Sequence, residues 1–171
     1  MRASYRALFV VLALAACVNL SGPPAGHAAG PHFAITAVGA AGKYPSQNER
    51  CVADVVSVNI GGYRVLTILR DLQPVASVND VTGLLWLPGN RLAYSVSGLF
   101  GDEPGIHVFD CATGKSRIIV GKGEYFELLG ASADKDPTLF FFYSADVASK
   151  TSDQVYQVKI DGSGLAKVAA P

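Results

Sequence analysis

Trp86-Leu87-Pro88-Gly89-Asn90-Arg91-Leu92-Ala93-Tyr94 sets apolar residues on both sides of a Pro-Gly-Asn turn. A later stretch, Asp134-Lys135-Asp136-Pro137-Thr138-Leu139-Phe140-Phe141, repeats the arrangement. Leu92 to Leu139 and Tyr94 to Phe141 are both 47 positions apart, and a constant offset marks repeated supersecondary units. Behind each segment comes a hairpin, residues 105–120 turning at Thr113-Gly114 and residues 154–168 turning at Gly162-Ser163-Gly164. A third hairpin, residues 54–69, turns at Gly61-Gly62. Each unit therefore reads as four strands: one ahead of a turn, one after it, then a hairpin.

The same alternation runs through the rest of the body. Val56, Val58 and Ile60 share one face of residues 53–60, with Ser57 and Asn59 on the other. Further strands are expected over 63–69, 83–87, 91–97, 105–110, 115–120, 125–130, 138–144, 154–160 and 165–169. Gly, Pro, Asn and Asp punctuate nearly every gap. No stretch carries a capped 3.6-residue period, so the expected fold class is all-β. Tyr125-Phe126 and Phe140-Phe141-Phe142-Tyr143 place aromatic side chains alternately on two faces, which suits strands buried on both sides.

The Trp86 to Tyr94 stretch resembles the tryptophan–proline–glycine signature of TolB-type and WD40-like β-propeller blades. Residues 155–165, with Asp161-Gly162 between two strands, resemble the hairpin that closes such a blade. The resemblance covers residues 83–170 well and 33–71 poorly, since the first unit lacks the tryptophan–proline turn. It implies units at about 33–71, 83–120 and 125–170, and partner binding through loops at one end of the blades. Three blades are fewer than the four to eight of closed propellers, which leaves an incomplete ring. A homodimer completing six blades, a truncated longer product and a β-sandwich are the alternatives.

Residues 1–16 read as an export signal, with Arg2 and Arg6 ahead of the apolar run 7–16. That run is too short to cross a ~30 Å hydrocarbon core. It ends at Leu14-Ala15-Ala16-Cys17, which resembles the bacterial lipobox and implies lipidation at Cys17. Val18 after it favours an outer-membrane destination in a Gram-negative cell, facing the periplasm. Cleavage after Ala28 and a soluble secreted product is the other reading. Residues 17–32, rich in Gly, Pro and Ala, form a tether, and residues 33–171 the β domain.

The chain carries 14 basic and 14 acidic residues, 16% charged in all. Without Arg2 and Arg6 the body has a net charge of about −2, which excludes the basic surplus of a nucleic-acid binder. Cys51 and Cys111 form an even pair suited to an oxidising compartment. The strand reading opposes a bridge, however. Cys51 begins the first strand of its hairpin and Cys111 follows the corresponding strand of the next, so the two should lie ~15–20 Å apart near opposite ends. A bridge would favour the sandwich.

Catalytic constellations are not found. His27 and His32 fall in the tether, and His107 in a strand is read as a surface or interblade residue. No Gly-x-Ser-x-Gly elbow occurs, and Gly121-Lys122-Gly123-Glu124 is no phosphate loop. Asp134-Lys135-Asp136 falls short of a Ca²⁺ ligand set. No cofactor or metal is expected. The expected function is a non-catalytic envelope lipoprotein that binds a protein or envelope component. The contact loops are 97–105, with Leu99, Phe100, Asp102 and Glu103, and 146–153, with Asp146, Lys150 and Asp153. A remnant of an exported hydrolase and an adhesion or inhibitor module are the alternatives.

Overall fold

A computed structural model describes residues 41–58, 62–100, 102–144 and 154–168. Every regular element among them is a strand: β1 (Gly42–Pro45), β2 (Cys51–Ser57), β3 (Arg64–Arg70), β4 (Gln73–Asn79), β5 (Val81–Leu87), β6 (Arg91–Val96), β7 (Gly105–Asp110), β8 (Lys115–Val120), β9 (Tyr125–Ala131), β10 (Thr138–Ser144), β11 (Gln154–Lys159) and β12 (Ala166–Lys167). They form three open antiparallel sheets of four strands each, β1 to β4, β5 to β8 and β9 to β12. Within each sheet, sequence neighbours are spatial neighbours. The all-β class and the four-strand, propeller-like sheets expected from the repeat are thus the observed architecture.

The middle sheet contributes the largest share of the core because it is covered on both faces. Alternation along β5 sends Leu85 and Leu87 toward the third sheet and Leu84 toward the first. Along β6, Ala93 faces the third sheet, and Leu92, Tyr94 and Val96 face the first. One apolar cluster joins these side chains to Phe126, Leu128, Leu139, Phe141 and Val158 of the third sheet. The other joins them to Ala53, Val55, Leu66 and Ile68 of the first sheet. Phe109, Phe126 and Phe141 are each under 2% exposed, and burying a side chain of that size contributes about 1.5–3 kcal/mol. Gly83 lets the sheets approach: a Cβ there would lie 2.9 Å from the Leu128 carbonyl oxygen and 3.0 Å from Ser95 Oγ. Across the same seam the Leu128 amide donates to Ser95 Oγ at 2.9 Å, so the polar atoms are satisfied in the interior.

The turn at Pro88-Gly89-Asn90 does what its composition requires. Gly89 and Asn90 both take positive φ, 78° and 55°, where Gly and Asn are tolerated best. Trp86 packs against the cluster between the first two sheets, and its indole N–H donates to the Tyr44 carbonyl at 2.9 Å.

Two features differ from the sequence reading. The strands β1 and β4 were not expected. Both are edge strands, and Gln-Pro-Val-Ala-Ser-Val-Asn of β4 carries a proline and little alternation, which the pairing to β3 tolerates through a register shift beside Leu69. Their presence moves the first sheet by one strand: the hairpin at Gly61-Gly62 joins the second and third strands, not the third and fourth. The expected separation of the cysteines is then overturned. Cys51 pairs with Arg70 at the end of β3, the true counterpart of β7, and Cys111 directly follows β7. Both cysteines therefore lie at the same end, and they are bonded, with Cα atoms 6.1 Å apart. The bridge ties the first sheet to the second within the blade-like arrangement and does not require a sandwich.

Candidate functional site: the anchored loop 97–104

Because every sheet is a meander, its connections alternate between two ends. The links β2–β3, β4–β5, β6–β7 and β8–β9 share one end, and the longest of these four is 97–104. It is held by side chains from several elements. The β4–β5 link is the single residue Asp80, buried, at φ 59°. The Asp80 carboxylate accepts from the Ser97 hydroxyl and from the Leu99 amide at 3.2 Å. The Asp80 carbonyl also accepts from the Ser97 amide at 3.1 Å. Farther along, the Asn79 amide donates to Asp102 Oδ2.

The loop's return is set by β7. Gly105 lies at φ 154°, and a Cβ there would come within 2.3 Å of the Val120 carbonyl oxygen. His107 is buried, its ring stacked on Tyr94 at 4.9 Å between centroids. Its Nε2 lies 3.0 Å from the Glu103 carbonyl, which accepts a hydrogen bond from it when that nitrogen is protonated. Burial pushes the imidazole below the ordinary histidine value, against the opposing pull of Glu103 and Asp102. Burial likewise raises Tyr94, whose hydroxyl is 2.7 Å from Ser116 Oγ.

With both ends fixed, the tip presents apolar surface. Leu99 is 59% exposed and Phe100 41%, and Phe100 stacks on Tyr63 of the β2–β3 link at 4.4 Å. The Gly98 amide donates to the Glu124 carbonyl at 3.0 Å. Beside that bond Gly98, Leu99, Pro104, Gly123 and Glu124 line a hollow of about 360 Å³. Nearby, the Tyr125 hydroxyl donates to Glu127 at 3.0 Å, and burial, then Glu127, push its pKa up to about 12.

Of the residues singled out from the sequence, Leu99, Phe100, Asp102 and Glu103 come together on this loop. Asp102 also accepts from the Asn79 amide, and Glu103 offers its backbone carbonyl to His107 while its side chain is exposed. Cys17, His27, His32, Asp146, Lys150 and Asp153 lie outside the described residues. Asp80, Ser97, His107 and Tyr63 were missed as loop supports; Asn79-Asp80 is a turn dipeptide, but its meaning depends on the unexpected β4. Among the described residues no cluster of three or more His, Cys, Asp or Glu side chains is placed to hold a metal ion. No protein-family model, curated protein or solved structure matches the chain.

Proposed function

We propose that this chain is an exported, lipid-anchored envelope protein whose blade-like domain is a non-catalytic binding module. It contacts a protein or another envelope component through loop 97–104. The observation that carries the reading is the pairing of a firmly anchored loop with an exposed apolar tip at Leu99 and Phe100. Loops on rigid sheet scaffolds are common contact sites, and a pre-organised tip loses little entropy on binding. The Cys51–Cys111 bond supports export, since disulfides persist in oxidising compartments. The Leu14-Ala15-Ala16-Cys17 stretch supports the anchor.

Site-specific photocrosslinking in intact cells tests the contact. A crosslinker at Leu99 or Phe100 should yield a discrete adduct, while one at Leu72, 82% exposed at the opposite end, should not. Equal labelling at Leu72, or none at the loop, would remove the reading. Palmitate incorporation should be lost in C17S. A homodimer is the second reading, supported by Val56 and Val75, which are 55% and 43% exposed on the first sheet; light scattering decides it.

A further inference from the structure

At the end opposite loop 97–104, a groove of about 420 Å³ is lined by β6, β7, β8 and the β7–β8 turn of the second sheet. Its floor follows from register. Val108 points into the cluster shared with the third sheet, so Asp110, two residues on, lies on the same face. Arg91 pairs with Asp110 and Asp110 with Lys115, while Arg117 pairs with Val108. Three adjacent strands thus bring Arg91, Lys115 and Arg117 to one face around a single carboxylate.

The charges in this groove are not neutralised internally. Asp110 turns its Oδ1 to the amides of Ala112 and Thr113, at 2.7 and 3.3 Å. Asp161, on the turn facing Arg117, accepts from the Ser163 amide at 2.8 Å. Arg117 donates to the carbonyls of Ile160 and Asp161, and Arg91 Nε to that of Pro88 at 3.0 Å. Carbonyls orient a guanidinium without cancelling its charge. None of the three cations forms an ion pair with a described carboxylate, in contrast to Arg50, which takes Asp71 in a two-bond fork at the same end of the sheets.

We propose that this groove is a binding site for a phosphate group. Three cations against Asp110 and the neighbouring Asp161 leave about one positive charge, a surplus that favours a phosphate monoester, whose own charge is about −1.5 to −2 near neutral pH. A carboxylate brings one charge and two oxygens, whereas phosphate offers three oxygens to donors arriving from separate strands. Arg guanidinium forks suit phosphate geometry, and the Lys115 ammonium adds a mobile point charge. The site is distinct from the loop contact and does not depend on it.

The test is calorimetric titration of the full chain, held in a phosphate-free non-ionic detergent, with inorganic phosphate and separately with glycerol phosphate. Saturable single-site binding of either ligand is expected, weakened about tenfold or more in K115Q and further in R91Q/K115Q. Tighter binding of glycerol phosphate identifies a lipid headgroup as the source; equal or weaker binding identifies free phosphate. Absence of saturable binding overturns the proposal. So does binding unchanged in K115Q, or binding matched by acetate at equal ionic strength. K115Q alters an exposed side chain, so it remains a valid probe should the double variant fail to fold.

Discussion

Reducing the Cys51–Cys111 bond removes almost no packed surface, so the expected loss of stability arises in the unfolded chain. The cysteines are 60 positions apart. Releasing a loop of that size restores a chain entropy of about 14 cal/mol/K, or ~4 kcal/mol at 25 °C. Domains of this size are stable by only ~5–15 kcal/mol, so the bridge is a large share. With a urea dependence of ~2 kcal/mol/M, reduction should lower the midpoint by about 2 M. The assay is urea unfolding followed by Trp86 fluorescence, on the oxidised chain and on the chain after full reduction, with thiols counted under denaturing conditions. The double variant C51A/C111A should fall about 1 kcal/mol lower still, because both sulfurs are buried. A shift below ~0.5 M on complete reduction would refute the reasoning. It would mean that the unfolded ensemble already holds the first two sheets together, or that the oxidised fold is strained.

Gly83→Ala should destabilise by about 1–3 kcal/mol in the same assay, since the new Cβ meets the Leu128 carbonyl and Ser95 Oγ at the contact between sheets. Asp80→Ala should release the Ser97 hydroxyl and the Leu99 amide, costing ~1–3 kcal/mol. Hydrogen exchange should show lost protection at Leu99 while β6 remains protected. His107 has a folded pKa below its ordinary value near 6.5, so the unfolded chain binds the proton more readily. Stability should then be level above about pH 6.5 and decline as pH falls toward the folded pKa. Unfolding midpoints across that range should lose this slope in His107→Gln, and a slope of the opposite sign would exclude the buried, neutral imidazole.

Much of the architecture was legible in the chain because apolar alternation and turn residues act locally. Phe140 and Phe141, adjacent and both buried, already mark a strand with two buried faces, and Pro88-Gly89-Asn90 already marks a turn. The edge strands were not legible. Gln73 to Asn79 carries Pro74 and partly exposed side chains, and its pairing to β3 is a tertiary choice that no local pattern records. One missed edge strand displaced the first sheet by a strand and reversed the inferred position of Cys51 relative to Cys111. For the loop, Leu99 and Phe100 stood out as apolar residues beside glycines, whereas Asp80 joins them from a link 19 positions earlier than Leu99.

The sequence by itself determined the all-β class, the repeat of four-strand units, the turn positions and the balance of charge, since each is a property of neighbouring residues. Only the tertiary structure decided which sheet lies in the middle, that the two cysteines meet, which carboxylates hold loop 97–104, and that Arg91, Lys115 and Arg117 share a groove. Those features depend on strand register and sheet stacking. A shift of one residue turns a side chain to the other face, and a shift of one strand reverses its direction.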